Sequence, residues 1–482
     1  MSRPTCSPLR RLVLATLVAL TGCAPAKAPI PAQAKVFPPS QWRGPAQVLA
    51  PVSAQWWQAF NDPVLSQLVD EALLHNNDVL TSVARVEQAR QQIGLAHSAL
   101  LPTLNGSLGA QTTRNLGVTG ITHSRSVQPE IQVAYELDLW GRLRNLDKAA
   151  QLQYQATQTD LDNVHLSVAS TVARAYITLL SLDTQLKVTR DTAASRRDAL
   201  MVAQDRANEG YTSQLELTQA QSEYESAQQM IPQLEQSIRQ QENAIRLLTG
   251  TPPGYVSRGS LFQNITPPTV PGMLPSELLR RRPDIQQAEL MVAASDFSLE
   301  ARRDEYLPQV QLSAGFGRLY VNALDFDPVK VWDLGVSVLA PIYSGGRLEA
   351  QLGVATAQRD QAAYNYRAVA LKAFGEVENS LSAVKRFEEQ IERIRTRINT
   401  LNRSLNIARD RYQGGYSSYL EVLDAQRNLF NTELAAIQVR ESQLNNVISL
   451  YQALGGGWRG SNPNQAATEP RGMQTKSTAS VH

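Results

Sequence analysis

The sequence predicts an internally duplicated protein of very long α-helices, with a pair of β-strands in each half. Three observations carry this fold class. One block recurs at a fixed offset, two long stretches lack proline, the first of them glycine as well, and two segments alternate between apolar and polar residues.

The duplication has several anchors. NNDVLTSVARVEQARQQIGLAHSALLPTL (76–104) aligns with RPDIQQAELMVAASDFSLEARRDEYLPQV (282–310), 206 positions on. LWGRL (139–143) aligns with SGGRL (344–348), and NEGYTSQLELTQAQ (208–221) with QGGYSSYLEVLDAQ (413–426), both shifted by 205. Two copies point to a pseudo-symmetric fold, because a solenoid needs three or more.

Each copy reads in the same order. A helix of about 30 residues comes first (66–100; 275–305) and stops before a Leu-Pro, since proline cannot continue it. Two strands follow, 103–113 with 126–140 and 309–319 with 332–343, joined by polar loops at 114–125 and 320–330. In the first pair Val127, Ile131, Val133, Tyr135, Leu137 and Leu139 share one face; Glu130, Glu136 and Asp138 lie on the other with Gln128 and Gln132. Trp332, Leu334, Val336 and Val338 repeat the apolar face, and Asp333 lies opposite.

The rods come next. Gly141 to about Asn208 contains neither proline nor further glycine, which allows a helix of roughly 100 Å. Its seam steps by threes and fours through Leu161, Val164, Val168, Thr171, Ala175, Leu179, Leu182 and Leu186, a coiled-coil spacing. Gly210-Tyr211 and Gly414-Gly415-Tyr416 are expected to turn the two rods, with return helices at 213–249 and 418–454. Pro232 is expected to kink or interrupt the first return helix.

The apolar strand faces suit either a globular core or lipid. Four strands cannot close a barrel, and an open edge is not tolerated in lipid, so a membrane location requires several chains to combine. In such a barrel Glu130, Glu136, Asp138 and Asp333 would line the lumen and favour cations; on a solvated outer face they would be ordinary surface acids.

The N-terminus reads as a targeting segment. Arg10 and Arg11 precede LVLATLVAL, which is too short to span a bilayer, and LTGC (20–23) resembles a bacterial lipobox with Cys23 as the lipid attachment site. Loss of Arg3, Arg10 and Arg11 takes the formal charge from +2 to about −1. The only other cysteine, Cys6, lies in the removed segment, so no intrachain disulfide or cysteine metal site is expected. The expected organisation is a signal peptide (1–22), a proline-rich lipidated tether (23–60), a first repeat (61–255), a linker (256–274), a second repeat (275–456) and a flexible tail (457–482). Ala24, where aspartate would mark inner-membrane retention, implies the outer membrane.

Chemistry is sparse. The five histidines (75, 97, 123, 165 and 482) show no metal-ligand spacing, and no P-loop, GxSxG or HExxH occurs. GGGWRG (455–460) reads as a helix terminator and linker. Acids and bases are interspersed without a basic stripe, which argues against nucleic acid. No enzyme, cofactor or metal is expected.

The ordered set of lipobox, QWWQAFNDPVLSQLVDEAL, YELDLWGRLR, RRPDIQQAEL, YLPQVQLSAGFG and YSSYLEVLDAQRNLF resembles the TolC-type outer membrane efflux protein family, in its lipoprotein branch, from about residue 53 to 456. The resemblance implies a membrane β-barrel joined to a long α-helical coiled-coil barrel, formed by a homotrimer with twelve strands and twelve helices. It implies a passive exit duct in the outer membrane, reaching into the periplasm and exporting small toxic compounds. It also implies a periplasmic adaptor and an inner-membrane pump of the resistance-nodulation-division type as partners. The quoted turns become periplasmic tips, and the family's gate maps onto Glu216, Tyr412, Glu421 and Asp424, the second hairpin being the expected mover. Ser417 stands where some members carry an arginine, so the salt-bridge lock is absent, weaker, or supplied by Arg411 or Arg206. The other reading of the tips is plain helix capping, with Glu421 completing a box after Ser418. Two rival functions fit the same chain: an exit duct for type I protein secretion, and a periplasmic lipoprotein scaffold without a pore.

Overall fold

The computed structural model describes residues 27, 29–43, 53–117, 120–269, 272–322 and 328–457. Cys23, the signal segment and the tail beyond 457 lie outside them.

The repeats appear element by element. The first runs α1 (Pro63–His75), α2 (Asn77–Ser98), β1 (Thr103–Gly117), β2 (Gly120–Leu137), α3 (Arg142–Asn208) and α4 (Gln214–Leu248). The second runs α5 (Pro275–Arg281), α6 (Pro283–Asp304), β3 (Gln309–Val321), β4 (Val329–Leu339), α7 (Arg347–Gln413) and α8 (Tyr419–Ala453). The rods α3 and α7 have 67 residues each, and the return helices α4 and α8 have 35 each.

Three expectations are corrected. The first helix of each repeat is two helices, broken at Asn76 and at Arg282; Pro283 lacks an N–H to continue α5 and instead opens α6. The polar stretch 114–125 is not a loop, since β1 and β2 stay paired out to Gly117 and Gly120. Helix α4 is not interrupted at Pro232, which lies inside it.

The chain forms two compact units. One contains the sheet, α2, α6 and the beginnings of α3 and α7. Its strands are antiparallel in the order β1-β2-β3-β4, an open sheet whose outer edges, β1 and β4, are unpaired among the described residues. The rows Ile131–Phe316–Trp332 and Val133–Ala314–Leu334 stack on one face. That face is open: Leu108, Trp332 and Leu334 are 74%, 76% and 77% exposed. Part of the segment expected to be a tether docks in this unit, where Lys27 pairs with Glu300 at 3.0 Å and the fully buried Arg359 donates to the Pro29 carbonyl at 3.2 Å.

The other unit contains α1, α4, α5, α8 and the remainders of α3 and α7. Trp56, Trp57 and Phe60, placed by the sequence in the tether, are buried here in a short 3-10 helix, with Trp56 stacked on Tyr451 at 5.6 Å. Asp62 caps α1 by accepting from the N–H groups of Val64 and Leu65 at 2.8 and 2.9 Å. Its second oxygen accepts from the Ser260 N–H at 2.8 Å and the Tyr176 hydroxyl at 3.2 Å, while the Gly259 N–H donates to Tyr176 at 2.9 Å. Burial above all, then the Asp62 charge, hold the Tyr176 phenol well above its usual range despite the Gly259 N–H. Arg258 reaches Asp183 at 2.8 Å and also Glu242, so the inter-repeat linker is packed against α3 and α4. The observed seam of α3 is wider than the heptad stripe, because Val172, Ala173, Tyr176 and Ile177 are buried as well.

The duplication also produces a repeated joint in this unit. Asn76 donates to the Leu248 carbonyl at 2.9 Å, and Arg282 to the Ala453 carbonyl at 3.0 Å. Each capping residue thus satisfies an orphan carbonyl at the end of the return helix of its own repeat. The following glycines, Gly250 (φ +70°) and Gly455 (φ +86°), lie against the carbonyls of His75 and Arg281. Gly455, Gly456 and Gly457 all have positive φ and close neighbours, so this glycine run is a tight terminator and no loose linker.

Candidate functional site

Two regions collect the residues singled out by the sequence. The first is the polar face of the sheet, where Gln132, Gly315 and Asp333 form one row. Gly315 leaves room that the Asp333 and Glu130 carboxylates occupy; a Cβ there would lie within 3.0 Å of both. At Gly317 a Cβ would strike the Pro129 carbonyl at 2.5 Å. Glu130 accepts only from Gln128, at 3.1 Å, and neither it nor Asp333 has a cationic partner among the described residues.

Glu136 and Asp138 behave differently. Glu136 takes both its bonds from Arg142, at 2.7 and 2.8 Å. Asp138 lies just beyond β2, where it caps α3 through the N–H groups of Leu143 and Arg144 and pairs with the Arg144 side chain at 2.9 Å. Burial pushes its carboxyl up, but these bonds outweigh it and hold the group below its usual range. The two acids are therefore largely neutralised, leaving Glu130 and Asp333 as the uncompensated pair.

The second region is the pair of hairpin turns. In each, one glycine takes the left-handed conformation, Gly210 (φ +78°) and Gly415 (φ +74°), and the next N–H closes the rod: Tyr211 to Arg206 O and Tyr416 to Arg411 O, both 2.8 Å. Tyr211 and Tyr416 stand out at 80% and 83% exposure. A side chain at Gly414 would meet the Tyr416 ring at 2.9 Å.

Capping differs between the turns. Ser213 caps α4 through the Glu216 N–H at 3.3 Å, and Thr212 donates to the Glu216 carboxylate. Ser418 makes no side-chain cap, so Glu421 completes no capping box. Glu421 instead faces Arg411 at 3.8 Å, a half-exposed and therefore weak pair. Arg206 lies over the Tyr412 ring at 5.2 Å, and Tyr412 packs on Tyr419 at 5.2 Å. The Ser417 hydroxyl is buried without a partner, and Asp424 is exposed with none, among the described residues.

The sequence reading missed what lies behind the turns. Ala203, Ala220, Leu405, Ala408, Tyr419, Val422 and Leu423 form one apolar cluster drawn from α3, α4, α7 and α8. Beside it, Glu223 pairs with Arg196 at 3.1 Å and with Arg427 at 2.6 Å. These charges have no counterparts in the other repeat, where Leu401, Asn428 and Ser222 occupy the matching positions. That departure from the duplication was the only signal available in the sequence. No cluster able to hold a metal occurs among the described residues.

The fold and these two regions define a class. The chain belongs to the outer membrane efflux protein family, whose model covers residues 68–251 and 274–456, the two repeats. It is an outer membrane efflux protein, a channel component through which compounds leave the cell. The chain is 31% identical over 443 residues to the pyoverdine export outer membrane protein OpmQ of Pseudomonas aeruginosa, covering 89% of this chain and 94% of that one. It is 30% identical over 459 residues to the probable outer membrane lipoprotein SilC of Salmonella typhimurium, covering 93% and 99%. The open state of the Neisseria gonorrhoeae MtrE outer membrane channel matches with a TM-score of 0.79 at 26% identity, over 90% of this chain and 98% of that one.

Proposed function

We propose that the chain is the passive exit duct of a tripartite efflux pump. Three copies close twelve strands into an outer-membrane barrel, continued by a periplasmic tube of twelve helices. The observation that carries this reading is the open sheet with an exposed apolar face and a polar face cleared by Gly315 and Gly317. Its two free edges need partners in lipid, and further copies supply them. The apolar run from Val127 to Leu137 rises about 33 Å along the strand, or roughly 25 Å at a tilt of about 40°, the height of an outer-membrane band. A pore-free scaffold would have to cover that face with protein. Glu130 and Asp333, repeated three times, ring the lumen with negative charge.

Cys23 carries the lipid that anchors the N-terminus in the outer membrane. The partners are a periplasmic adaptor and an inner-membrane pump, of the resistance-nodulation-division type, which supplies the energy. Small toxic compounds are the cargo, in keeping with relatives named for pyoverdine export, toluene efflux and cation efflux.

Tyr412, Asp424, Glu421 and Glu216 form the gate at the hairpin tips. Asp424 has no partner among the described residues, which suits a ring of acids, one per chain, facing across the tube. Asp424→Ala removes that charge and is expected to raise single-channel conductance; an unchanged closed state in planar bilayers contradicts the assignment. Deleting the gene tests the function itself. Increased sensitivity to at least one compound in a toxic panel is expected, with protein secretion intact. Loss of a secreted protein favours the type I export reading, and no change of either kind rules against transport.

A further inference from the structure

We propose that the groove between α6 and α7 seats one acyl chain of the lipid carried by Cys23. The inference rests on the reading of Cys23 as the lipid attachment site and concerns where that lipid goes. The groove has a volume of about 450 Å3 and is lined by Leu299 and Arg303 of α6 and by Leu352, Gly353, Thr356 and Ala357 of α7. On α7 it extends from Glu349 to Asp360, about 16 Å of helix. Leu299 is buried, Leu352 and Thr356 are half-buried, and Gly353 and Ala357 are exposed. Positions 352 and 356, like 353 and 357, lie four apart and so form two rows on one face of α7. Gly353 sits inside the rod, where a glycine weakens a helix. Apart from its own helix, nothing lies within 4 Å of where its Cβ would be. Packing among the described residues therefore does not call for a glycine, and the space beside it is open.

The N-terminal segment brings the cysteine to this groove. Arg359 approaches Asp296 of α6 at 3.6 Å while holding the Pro29 carbonyl at 3.2 Å. Two residues upstream, Lys27 pairs with Glu300 at 3.0 Å and approaches Asp296 at 3.7 Å. Burial pushes the Glu300 carboxyl up, but Lys27 and Arg303 outweigh it and hold the group below its usual range. Glu300 adjoins Leu299 in sequence and stands one turn before Arg303, so Lys27 is fixed at the edge of the groove. From Lys27 back to Cys23 is four residues, a reach of at most about 14 Å. The lipid is thus confined to the neighbourhood of the groove. An acyl chain is flexible, apolar and thin enough for the row left by Gly353 and Ala357, and laying it there removes apolar surface from water. The lipid then packs the N-terminal segment against α6 and α7 as well as anchoring the chain.

The test uses full-length protein from cells fed a palmitic acid analogue that bears a diazirine, purified, irradiated and digested with trypsin. Cleavage after Lys27, Arg347 and Arg359 isolates the lipidated residues 23–27 and the α7 wall, 348–359. A covalent link between these two peptides is expected in the mass spectrum. Gly353→Leu fills the groove and favours the helix, so it should lower the yield of that link by about tenfold or more while the label stays on Cys23. Lys27→Glu sets like charges against Glu300 and Asp296 and should lower it as well. An undiminished link in Gly353→Leu overturns the inference. So does a wall that carries no label, or one labelled only by free phospholipid. A residue 23–27 peptide without any lipid defeats the lipidation reading, and this inference with it.

Discussion

Gly455→Ala and Gly250→Ala are each expected to destabilise the protein by about 2–5 kcal/mol. A left-handed conformation costs a residue with a Cβ about 1–2 kcal/mol. The new methyl also meets main chain in each case: the Arg281 carbonyl at 2.5 Å for Gly455 and the His75 carbonyl, closer still, for Gly250. Overpacking against a backbone that cannot rotate away adds roughly 1–3 kcal/mol. The same carbonyls belong to the helix ends where Asn76 and Arg282 hold the return helices. Damage at one joint should therefore loosen α1 with α4, and at the other α5 with α8. Gly94→Ala is the control: apart from its own helix backbone nothing lies within 4 Å of its Cβ position, and it sits inside α2, so a gain of about 0.5–1 kcal/mol is expected. Thermal unfolding at one fixed protein concentration reads all three. Equal midpoints for Gly455→Ala and wild type refute the joint.

Asp62→Ala should cost about 3 kcal/mol or more. The loss of the α1 cap accounts for about 0.5–2 kcal/mol. The rest comes from the buried Tyr176 hydroxyl, left without its acceptor at about 1–3 kcal/mol, with a smaller share from the half-buried Ser260 N–H. Asp62→Asn keeps one acceptor oxygen and should fall between the two. Limited proteolysis separates the outcomes, because the released segment around Gly259 should become the first cleavage site in Asp62→Ala. An unaltered cleavage pattern counts against the node.

Much of this architecture was legible as pattern. The rods follow from two long stretches without proline, and the turns from Gly210 and Gly415, since only glycine sits easily in their left-handed conformation. The apolar strand face follows from period-two alternation. What stayed hidden depends on contacts far apart in sequence. Asp62 looks like an ordinary cap until Tyr176 and Ser260 are brought to it. The strand ends near Arg114 and His123 are polar, so the side-chain pattern understates how far the strands stay paired. Pro283 was a visible breaker of the 275–305 helix, whereas Asn76 breaks its counterpart with no proline at all. Of the four acids on the sheet, pattern placed Glu130, Glu136 and Asp138 together; the capping role of Asp138 appears only once α3 begins at Arg142.

The central claim is that these open sheets combine into a conducting barrel. Planar-bilayer recording on the purified protein tests it most directly. Stepwise channels of uniform size are predicted, cation-selective by reversal potential, with the preference reduced in the double variant Glu130→Gln with Asp333→Asn. Folded protein that inserts into the bilayer and passes no current would contradict the account.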